Sequence, residues 1–431
     1  MVQRLGRETA KLIMSTAIVD PRRAAGLRRL QDFAQRAGPL YAKSRNFDFG
    51  PERRGNVSML SPWLRHRLVL EEEVVDAVLQ RHSQNAAAKF FEEVFWRAYF
   101  KGWLEQHPTV WAAYRRSVSR LLQSLESDVD ALHRYEAAVG GNTGIDCFDA
   151  WVEELTTHGY LHNHARMWFA SIWVYTLKLP WELGADFFYR FLMDGDPASN
   201  TLGWRWVCGL HTSGKTYLAR ASNIAHFTDN RFCPEGQLAT RAPALNENMA
   251  HSVARLSLPD ALPQRERYGL LVTEEDCHPE SLLVDRPPEA ILGAVATNLR
   301  SPLPVGEAAR NFAEGAVKDG VERASIAYEA DASLTNSDNW AEVLLDWASR
   351  HQLESIATAY APVGPVAELL ADAGEKLAAN GIVLRRLQRP YDGATWPHSR
   401  RGFFRLKKQI PSILDNLGLD ADRGPSRQKA G

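Results

Sequence analysis

The chain has 431 residues, a hydrophobic fraction of 45%, a charged fraction of 24% and a formal net charge of −1. These values are typical of a soluble globular protein with two or three domains, and they exclude a strong overall attraction to nucleic acid, so any basic surface must be local. Its four cysteines form no CxxC pair, which argues against a zinc ribbon, an iron–sulfur cluster or a disulfide framework, and we expect no metal.

The N-terminal stretch, MVQRLGRETAKLIMSTAIVD, is charged throughout and has no apolar segment of signal-peptide length. Nowhere does the chain contain a run of about 18 or more apolar residues. Secretion and membrane spanning are therefore not expected, and we predict a cytoplasmic protein.

From about residue 22 to 255, apolar residues recur at helical spacing, as in VVDAVLQRH, AAAKFFEEVFWRAYFKGWL and ARMWFASIWVYTLKL. Turn sequences such as GPERRGN, GGNTG and DGDPASN separate these segments. We predict an all-α domain of ten or more helices. Ten of the 13 tryptophans lie between Trp63 and Trp206, which indicates either an aromatic core or a buried π-rich site.

The helical pattern ends in LSLPDALPQRERY, and we place a domain boundary near residue 265. Beyond it, short apolar runs alternate with helical patterns such as WAEVLLDWASRH, which predicts a parallel, doubly wound sheet. The predicted strands are YGLLVT (268–273), AILGAVAT (290–297), ASIAY (324–328), SIATAY (355–360) and GIVLRR (381–386). The predicted organisation is a multidomain chain with a helical domain (1–265), an α/β Rossmann-like domain (266–418) and a disordered polar tail (419–431).

Three groups of side chains in the helical region could carry chemistry. The groups are Asn163, Arg166 and Met167 on one helix face; Asp194, Asp196 and Asn200 around a DGD turn; and Glu93, Trp96 and Arg97 on another helix face. Each group also has a purely structural interpretation. The first could be a buried ion pair with a core methionine, the second a helix cap and the third an amphipathic helix face.

Residues 209–216 read GLHTSGKT and match the phosphate-loop pattern G-x-x-x-x-G-K-[ST]. A true phosphate loop follows a buried strand, whereas this segment follows GWRWVC in a helical region. We interpret the match as coincidental and keep an ATP-dependent protein that uses Lys215 as a lesser alternative. The chain has no G-x-S-x-G or H-E-x-x-H motif.

A stretch of about seventy residues, from GNTGIDCFDAW to LGWRWVCG, resembles the FAD-binding domain of photolyases and cryptochromes. Upstream, YAKSR, SMLSPWL and FFEEVFWR resemble earlier motifs of that family in the same order. The resemblance implies a photolyase-type helical fold with FAD as cofactor. The cofactor-binding residues that it implies are Tyr41, Arg45, Ser58, Ser61, Asn163, Arg166, Asp194, Asp196 and Asn200.

The resemblance also implies an activity, the repair of cyclobutane pyrimidine dimers in DNA by electron transfer from photoexcited reduced flavin. Six-four photolyases place histidines where this chain has Asn163 and Met167, which favours the cyclobutane class. A cryptochrome-like blue-light photoreceptor, with an unknown signalling partner, is the alternative. The implied catalytic residues are Glu93, Trp96, Met167 and Asn200, and the implied substrate or DNA contacts are Glu93, Trp96, His164, Met167 and Trp206.

The chain departs from the family in three respects. Trp204 and Trp181 match the inner electron-transfer tryptophans, but no tryptophan lies between Trp111 and Trp151, so Tyr135 or another aromatic residue would have to serve as the outer member. Met59 and His164 stand where basic residues are common. The α/β half comes last, and WPHSRRGFFRLKKQIPSIL is similar to the end of the family's α/β domain, which suggests a permuted order or, alternatively, an unrelated module. The sequence does not identify a second, antenna chromophore.

Overall fold

The computed structural model describes residues 19–247, 249–261, 265–282 and 286–419. Residues 262–264, next to the predicted boundary, and all but the first residue of the predicted tail 419–431 lie outside this range. No helix in the described part of the chain is long and apolar enough to cross a membrane.

Helices fill the described chain from residue 23 to 227, which confirms the prediction of an all-α region with ten or more helices. A π-helical turn, Ile172–Thr176, continues the helix that ends at Ser171. The helices are α1 Arg23–Ala34, α2 Pro39–Ser44, α3 Ser61–Arg65, α4 Glu71–Leu79, α5 Ala88–Glu105, α6 Pro108–Leu125, α7 Val129–Val139, α8 Asp146–His158, α9 Asn163–Ser171, α10 Trp181–Phe191, α11 Pro197–Val207 and α12 Ala221–Phe227.

Local sequence determines several of these helix ends. Helix α11 begins at Pro197, and the Asp196 carboxylate caps it by accepting a hydrogen bond from the Ser199 backbone N–H at 2.7 Å. Helix α8 ends at Gly159, whose φ of 61° is left-handed. The close approach of Met193 and Ala308 to Gly159 also leaves no room for a side chain there.

The second half contains a sheet of five parallel strands in the order β3-β2-β1-β4-β5. Its strands are β1 Tyr268–Thr273, β2 Ala290–Ala294, β3 Ala332–Thr335, β4 Ser355–Ala359 and β5 Val383–Leu387, and its helices are α13 Glu307–Tyr328, α14 Trp340–Arg350 and α15 Pro365–Ala379. In the central register, Leu270 pairs with Ile291 on one side and with Ala357 on the other. The predicted doubly wound parallel sheet is confirmed.

One predicted strand is wrong. ASIAY (324–328) is the last part of α13, and the edge strand is the following Ala332–Thr335. Short apolar runs do not distinguish a strand from a helix by periodicity. The helix forms because Phe312, Ala316 and Val321, with other small apolar residues at helical spacing, are buried along one face of its 22 residues.

The helical and sheet halves share a hydrophobic core. Leu30 and Trp63 from the first half belong to the same buried cluster as Leu270, Ile291 and Phe312 from the second. Three short helices, α16 Pro390–Thr395, α17 Phe403–Lys407 and α18 Ile410–Asn416, follow the sheet, and α16 and α17 pack against α5. The division into domains at residue 265 stays a prediction.

Buried ion pairs cross this junction directly after β1. Arg65 of α3 donates two hydrogen bonds, of 2.7 and 2.6 Å, to Glu275. Arg67, which follows α3, crosses to Asp276 with its Nη1 atom 3.6 Å from Oδ2, and Arg389 of the second half binds both oxygens of the same carboxylate. A parallel sheet of this order commonly has a ligand crevice after β1. In this protein the residues after β1 instead form ion pairs that join the two halves.

Candidate active site

From the half-buried faces of three helices we infer one recess in the helical half. Helix α11 packs against both α5 and α9. Although most of each helix is buried, half-buried positions recur at helical spacing on all three. A side chain added at Gly203 of α11 would meet no atom within 4 Å of its Cβ. The half-buried residues are Glu93, Trp96 and Arg97 on α5, His164, Arg166 and Met167 on α9, and Ser199, Asn200, Gly203 and Trp206 on α11; Asn163, at the start of α9, is exposed.

Asp194 lies at the floor of this recess. The Arg166 Nη2 atom donates to both of its carboxylate oxygens, at 3.1 and 2.8 Å. Burial raises the pKa of Asp194, but Arg166 and the hydroxyl of Ser61 more than compensate, so the net pKa is lowered. The structure thus brings together three of the residues that the resemblance assigns to the cofactor.

Asp196 is a second buried carboxylate next to the recess. It caps α11, and its Oδ2 atom lies 3.6 Å from Lys101 Nζ and 4.0 Å from Arg65 Nε. Burial raises its pKa, and the cations overcome that effect and hold the pKa well below the usual range. On the same helix, Asn200 Nδ2 donates to the Ala185 carbonyl at 2.8 Å, which fixes the orientation of the amide.

Arg97 is the site residue that sequence reasoning missed. It was noted beside Glu93 and Trp96 but given no role at the cofactor. Its positive charge acts on both Asp194 and Asp196. Its buried Nε and Nη2 atoms have no hydrogen-bond partner among the described residues. A buried guanidinium with free donors is suited to an anionic or polar ligand.

Tyr41, Arg45 and Glu93 form one cluster. The Arg45 guanidinium forms an ion pair with the Glu93 carboxylate and also hydrogen-bonds the Tyr41 hydroxyl. Burial raises the pKa of Glu93, and Arg45 opposes this shift only in part. Arg45, which the resemblance assigns to the cofactor, therefore contacts Glu93, which the resemblance assigns to the substrate.

Ser58 lines a separate cationic cleft of about 540 Å³. Its carbonyl accepts a hydrogen bond of 2.6 Å from Arg29 Nε, and Arg54 and Met59 lie in the same wall. The guanidinium groups of Arg54 and Arg166 both form cation–π contacts with the Tyr160 ring. Phosphate groups fit such a cleft, and the arginines offset the replacement of a basic residue by Met59.

The residues assigned to the substrate differ in their availability. Trp96 is stacked on Phe403 of α17, with ring centroids 3.9 Å apart and an interplanar angle of 11°. His164 has both ring nitrogens engaged, by the Asn46 carbonyl at 2.9 Å and the Tyr217 hydroxyl at 3.3 Å. Met167 and Trp206 remain half-buried on the wall of the recess.

Aromatic side chains lead away from the recess in two directions. Trp204 meets Trp173 edge-on at 6.2 Å, and Trp173 meets the buried Tyr135 at 6.2 Å. Trp181 instead stacks on Tyr114 at 5.8 Å with an interplanar angle of 28°. Tyr114 is itself buried, but it borders an open cleft of about 440 Å³, so this second direction ends beside the surface.

The segment 209–216 has the wrong surroundings for a phosphate loop. It forms turns directly after helix α11 and not after a strand, and Lys215 is exposed. Its His211 packs into the protein and binds the Tyr99 hydroxyl at 3.0 Å. The structure therefore gives the ATP-dependent alternative no site at this motif.

Residues 90–258 match the family described as the FAD binding domain of DNA photolyase. The helical part of this chain is thus similar to the FAD-binding domain of DNA photolyases. A deoxyribodipyrimidine photo-lyase from Streptomyces griseus is 35% identical over 156 residues, which cover 36% of this chain and 32% of that protein. One from Thermus thermophilus is 31% identical over 222 residues, or 52% of this chain and 50% of that protein.

Among solved structures, a class III photolyase from Agrobacterium tumefaciens is 28% identical, with a TM-score of 0.41, and the match covers 48% of this chain and 43% of that one. The chain thus spans half or less of the length of these photolyases.

The photolyase-type domain is an FAD-binding domain, and its side chains fit that cofactor. A Cβ added at Gly203 would meet no atom within 4 Å, which leaves room beside α11 for a ligand group. Arg97 and the buried Ser199 hydroxyl have no hydrogen-bond partner among the described residues. The arginines around Ser58 can neutralise a diphosphate. Arg166, Asp194 and Asn200 would hold the flavin side, and Ser58 with Arg29 and Arg54 the phosphate side.

Proposed function

We propose that this protein repairs cyclobutane pyrimidine dimers in DNA in a light-dependent reaction. The observation that carries the proposal is the recess between α5, α9 and α11. It combines the Arg166–Asp194 pair, the open space at Gly203 and the potential base contacts Glu93 and Trp96. The similarity to proteins named deoxyribodipyrimidine photo-lyase supports the same activity.

The recess suits a base that has been taken out of the DNA stack, because a target inside a duplex cannot reach a buried cofactor. Bound FAD supplies the light-absorbing group and the electron. Arg166 is the main group that keeps Asp194 ionised, and Lys101 and Arg65 keep Asp196 ionised, while Arg97 adds to both effects. Met167 and Trp206 form an apolar wall of the recess, and this wall excludes water from the reacting bases.

Glu93 has the properties of a base-recognition group. Burial raises the pKa of Glu93, but its ion pair with Arg45 favours the carboxylate, which can accept a hydrogen bond from a base N–H. Arg45 holds the side chain at the wall of the recess through their ion pair. Trp96 presents the ring face opposite Phe403 for stacking, while Phe403 supports it from behind.

The test is dimer repair by the FAD-loaded full chain under near-ultraviolet or blue light, with a reductant and a thymine-dimer oligonucleotide. Glu93→Gln removes the charge and the ion pair with Arg45, and we expect the repair rate to fall about tenfold or more, the scale of a hydrogen bond to a charged group. Glu126→Gln, at an exposed position after α6, is the matched control and should repair normally.

A blue-light sensor is the second candidate, because both proposed base contacts already have partners within the protein. Arg45 binds Glu93, and Phe403 covers one face of Trp96. Wild-type protein whose bound flavin photoreduces with no loss of dimers would contradict repair and support the sensor. Purified protein that binds no flavin under any condition would contradict both.

A further inference from the structure

The segment from Trp396 to Lys408 is anchored beside the recess. Phe403 and Leu406 of α17 are buried, and Phe403 stacks on Trp96. Lys407 Nζ lies 2.9 Å from Glu92 Oε1, one residue before Glu93 on α5. The inner face of α17 is thus fixed against the helix that carries both proposed base contacts.

The outer face of α17 and the turn before it are cationic. Arg400, Arg401, Arg405 and Lys408 are exposed, and no ion pair is formed by any of them with another described residue. Among them stands Phe404, which is 74% exposed. This set of five residues, Arg400, Arg401, Phe404, Arg405 and Lys408, is called the α17 surface below.

The charge of this surface is local and uncompensated. The sequence has no acidic residue between Asp392 and Asp415, although the whole chain has a formal net charge of −1. Clustered cations next to an exposed aromatic ring are typical of surfaces that bind a nucleic-acid strand, in which phosphates pair with the cations and a base stacks on the ring.

We infer that the α17 surface binds the DNA strand flanking the extruded dimer. Its four cations contact backbone phosphates, and Phe404 contacts a base exposed by the extrusion. The inference rests on the proposed function, because it places the lesion at Trp96. The stack of Phe403 on Trp96 makes the surface continuous with the recess, so one strand can contact both.

A lipid surface fits these residues less well. Helix α17 has only five residues, and its apolar positions Phe403 and Leu406 are already buried in the protein core. Phe404 alone remains to enter an apolar phase. An amphipathic membrane helix instead needs a free apolar face along several turns.

The experiment measures DNA binding in the dark, so that it is separate from repair. The variant Arg400→Gln/Arg401→Gln/Arg405→Gln/Lys408→Gln is compared with wild type on a labelled thymine-dimer duplex between 50 and 200 mM salt. If each cation contacts one phosphate, the slope of log affinity against log salt becomes shallower by about three to four, and the affinity in low salt falls at least about tenfold. Phe404→Ala should weaken binding about fivefold or more with little change in that slope.

The matched control neutralises four exposed cations on other elements, Arg81, Arg134, Lys318 and Arg350. It changes the net charge equally and should retain the wild-type slope. Circular dichroism and flavin absorbance verify that each variant is folded and loaded.

Equal loss of affinity in the control and in the α17 variant would overturn the inference while leaving repair by wild type in place. Binding of wild type to vesicles containing phosphatidylserine, lost in the α17 variant without any change in DNA affinity, would also overturn it. Wild-type protein that neither binds nor repairs dimer DNA would remove the proposed function itself.

Discussion

If Trp181 acts in electron transfer as the resemblance implies, we expect Tyr114 to be the residue that passes electrons to it. The two rings are stacked, and Tyr114 lines a cleft open to solvent together with Asp186. We expect Tyr114→Phe to slow the light-driven reduction of bound FAD severalfold. Phenylalanine keeps the stack but is much harder to oxidise, because it has no hydroxyl proton to release. The rate is followed by flavin absorbance under constant light with an external reductant.

Tyr135→Phe is the control, since Tyr135 meets Trp173 instead of Trp181. It should leave the rate near that of wild type. Slowing by Tyr135→Phe with no effect of Tyr114→Phe would instead assign the outer position to Tyr135.

At the residue scale, the sequence predicts which side chains belong to the site better than it predicts the residues that these side chains contact. The resemblance implied the Arg166–Asp194 pair, and the structure has it. It could not foresee that Phe403 stacks on Trp96, because a contact so distant along the chain depends on tertiary packing that no local pattern encodes. Arg97 could have been noticed, since a guanidinium at helical spacing from Glu93 must face the same side of α5.

At the element scale, two helical glycines give opposite predictions. Gly203 faces open space, so Gly203→Ala should raise the free energy of unfolding of the FAD-free protein by about 0.5–1 kcal/mol through helix propensity. Gly203→Leu should keep the fold but lower FAD occupancy, because its side chain fills the recess. Urea denaturation and flavin absorbance measure the two effects.

Gly184 on α10 is the matched comparison. A Cβ there would lie 2.3 Å from Trp204 Cη2, so Gly184→Ala should destabilise the protein by about 1–3 kcal/mol. If Gly203→Leu retained full FAD occupancy, the recess would not be the cofactor site.

The elements themselves were largely predictable. The strongly periodic segment WAEVLLDWASRH is helix α14 as predicted, and four of the five strand segments begin within two residues of the observed strands. The error at ASIAY arose where a helix face made of alanines and valines resembles a short buried strand. The edge strand Ala332–Thr335 was missed because its residues are mostly exposed and carry no continuous apolar run.

At the scale of the whole molecule, the Arg65–Glu275 pair should be a strong link between the halves. Removing one partner leaves a buried charge, so Arg65→Met or Glu275→Leu alone should cost about 3–5 kcal/mol in the free energy of unfolding. The double variant should recover most of that loss, because neither charge remains. Urea denaturation of the four proteins gives the coupling energy, and additive losses would contradict a direct link.

Buried ion pairs between the halves also affect folding during synthesis, because their arginines are made long before their carboxylates. Arg67 forms a hydrogen bond of 2.6 Å with Asp392, which lies 325 residues further along the chain. Because a ribosome makes about 5–20 residues per second, the helical half spends tens of seconds outside the exit tunnel with Arg65 and Arg67 lacking their carboxylates. The segment around Arg65 and Arg67, which shares its core with the sheet, should therefore stay loosely packed until the sheet follows, and a chaperone that shields partly folded chains would meet this protein during that interval.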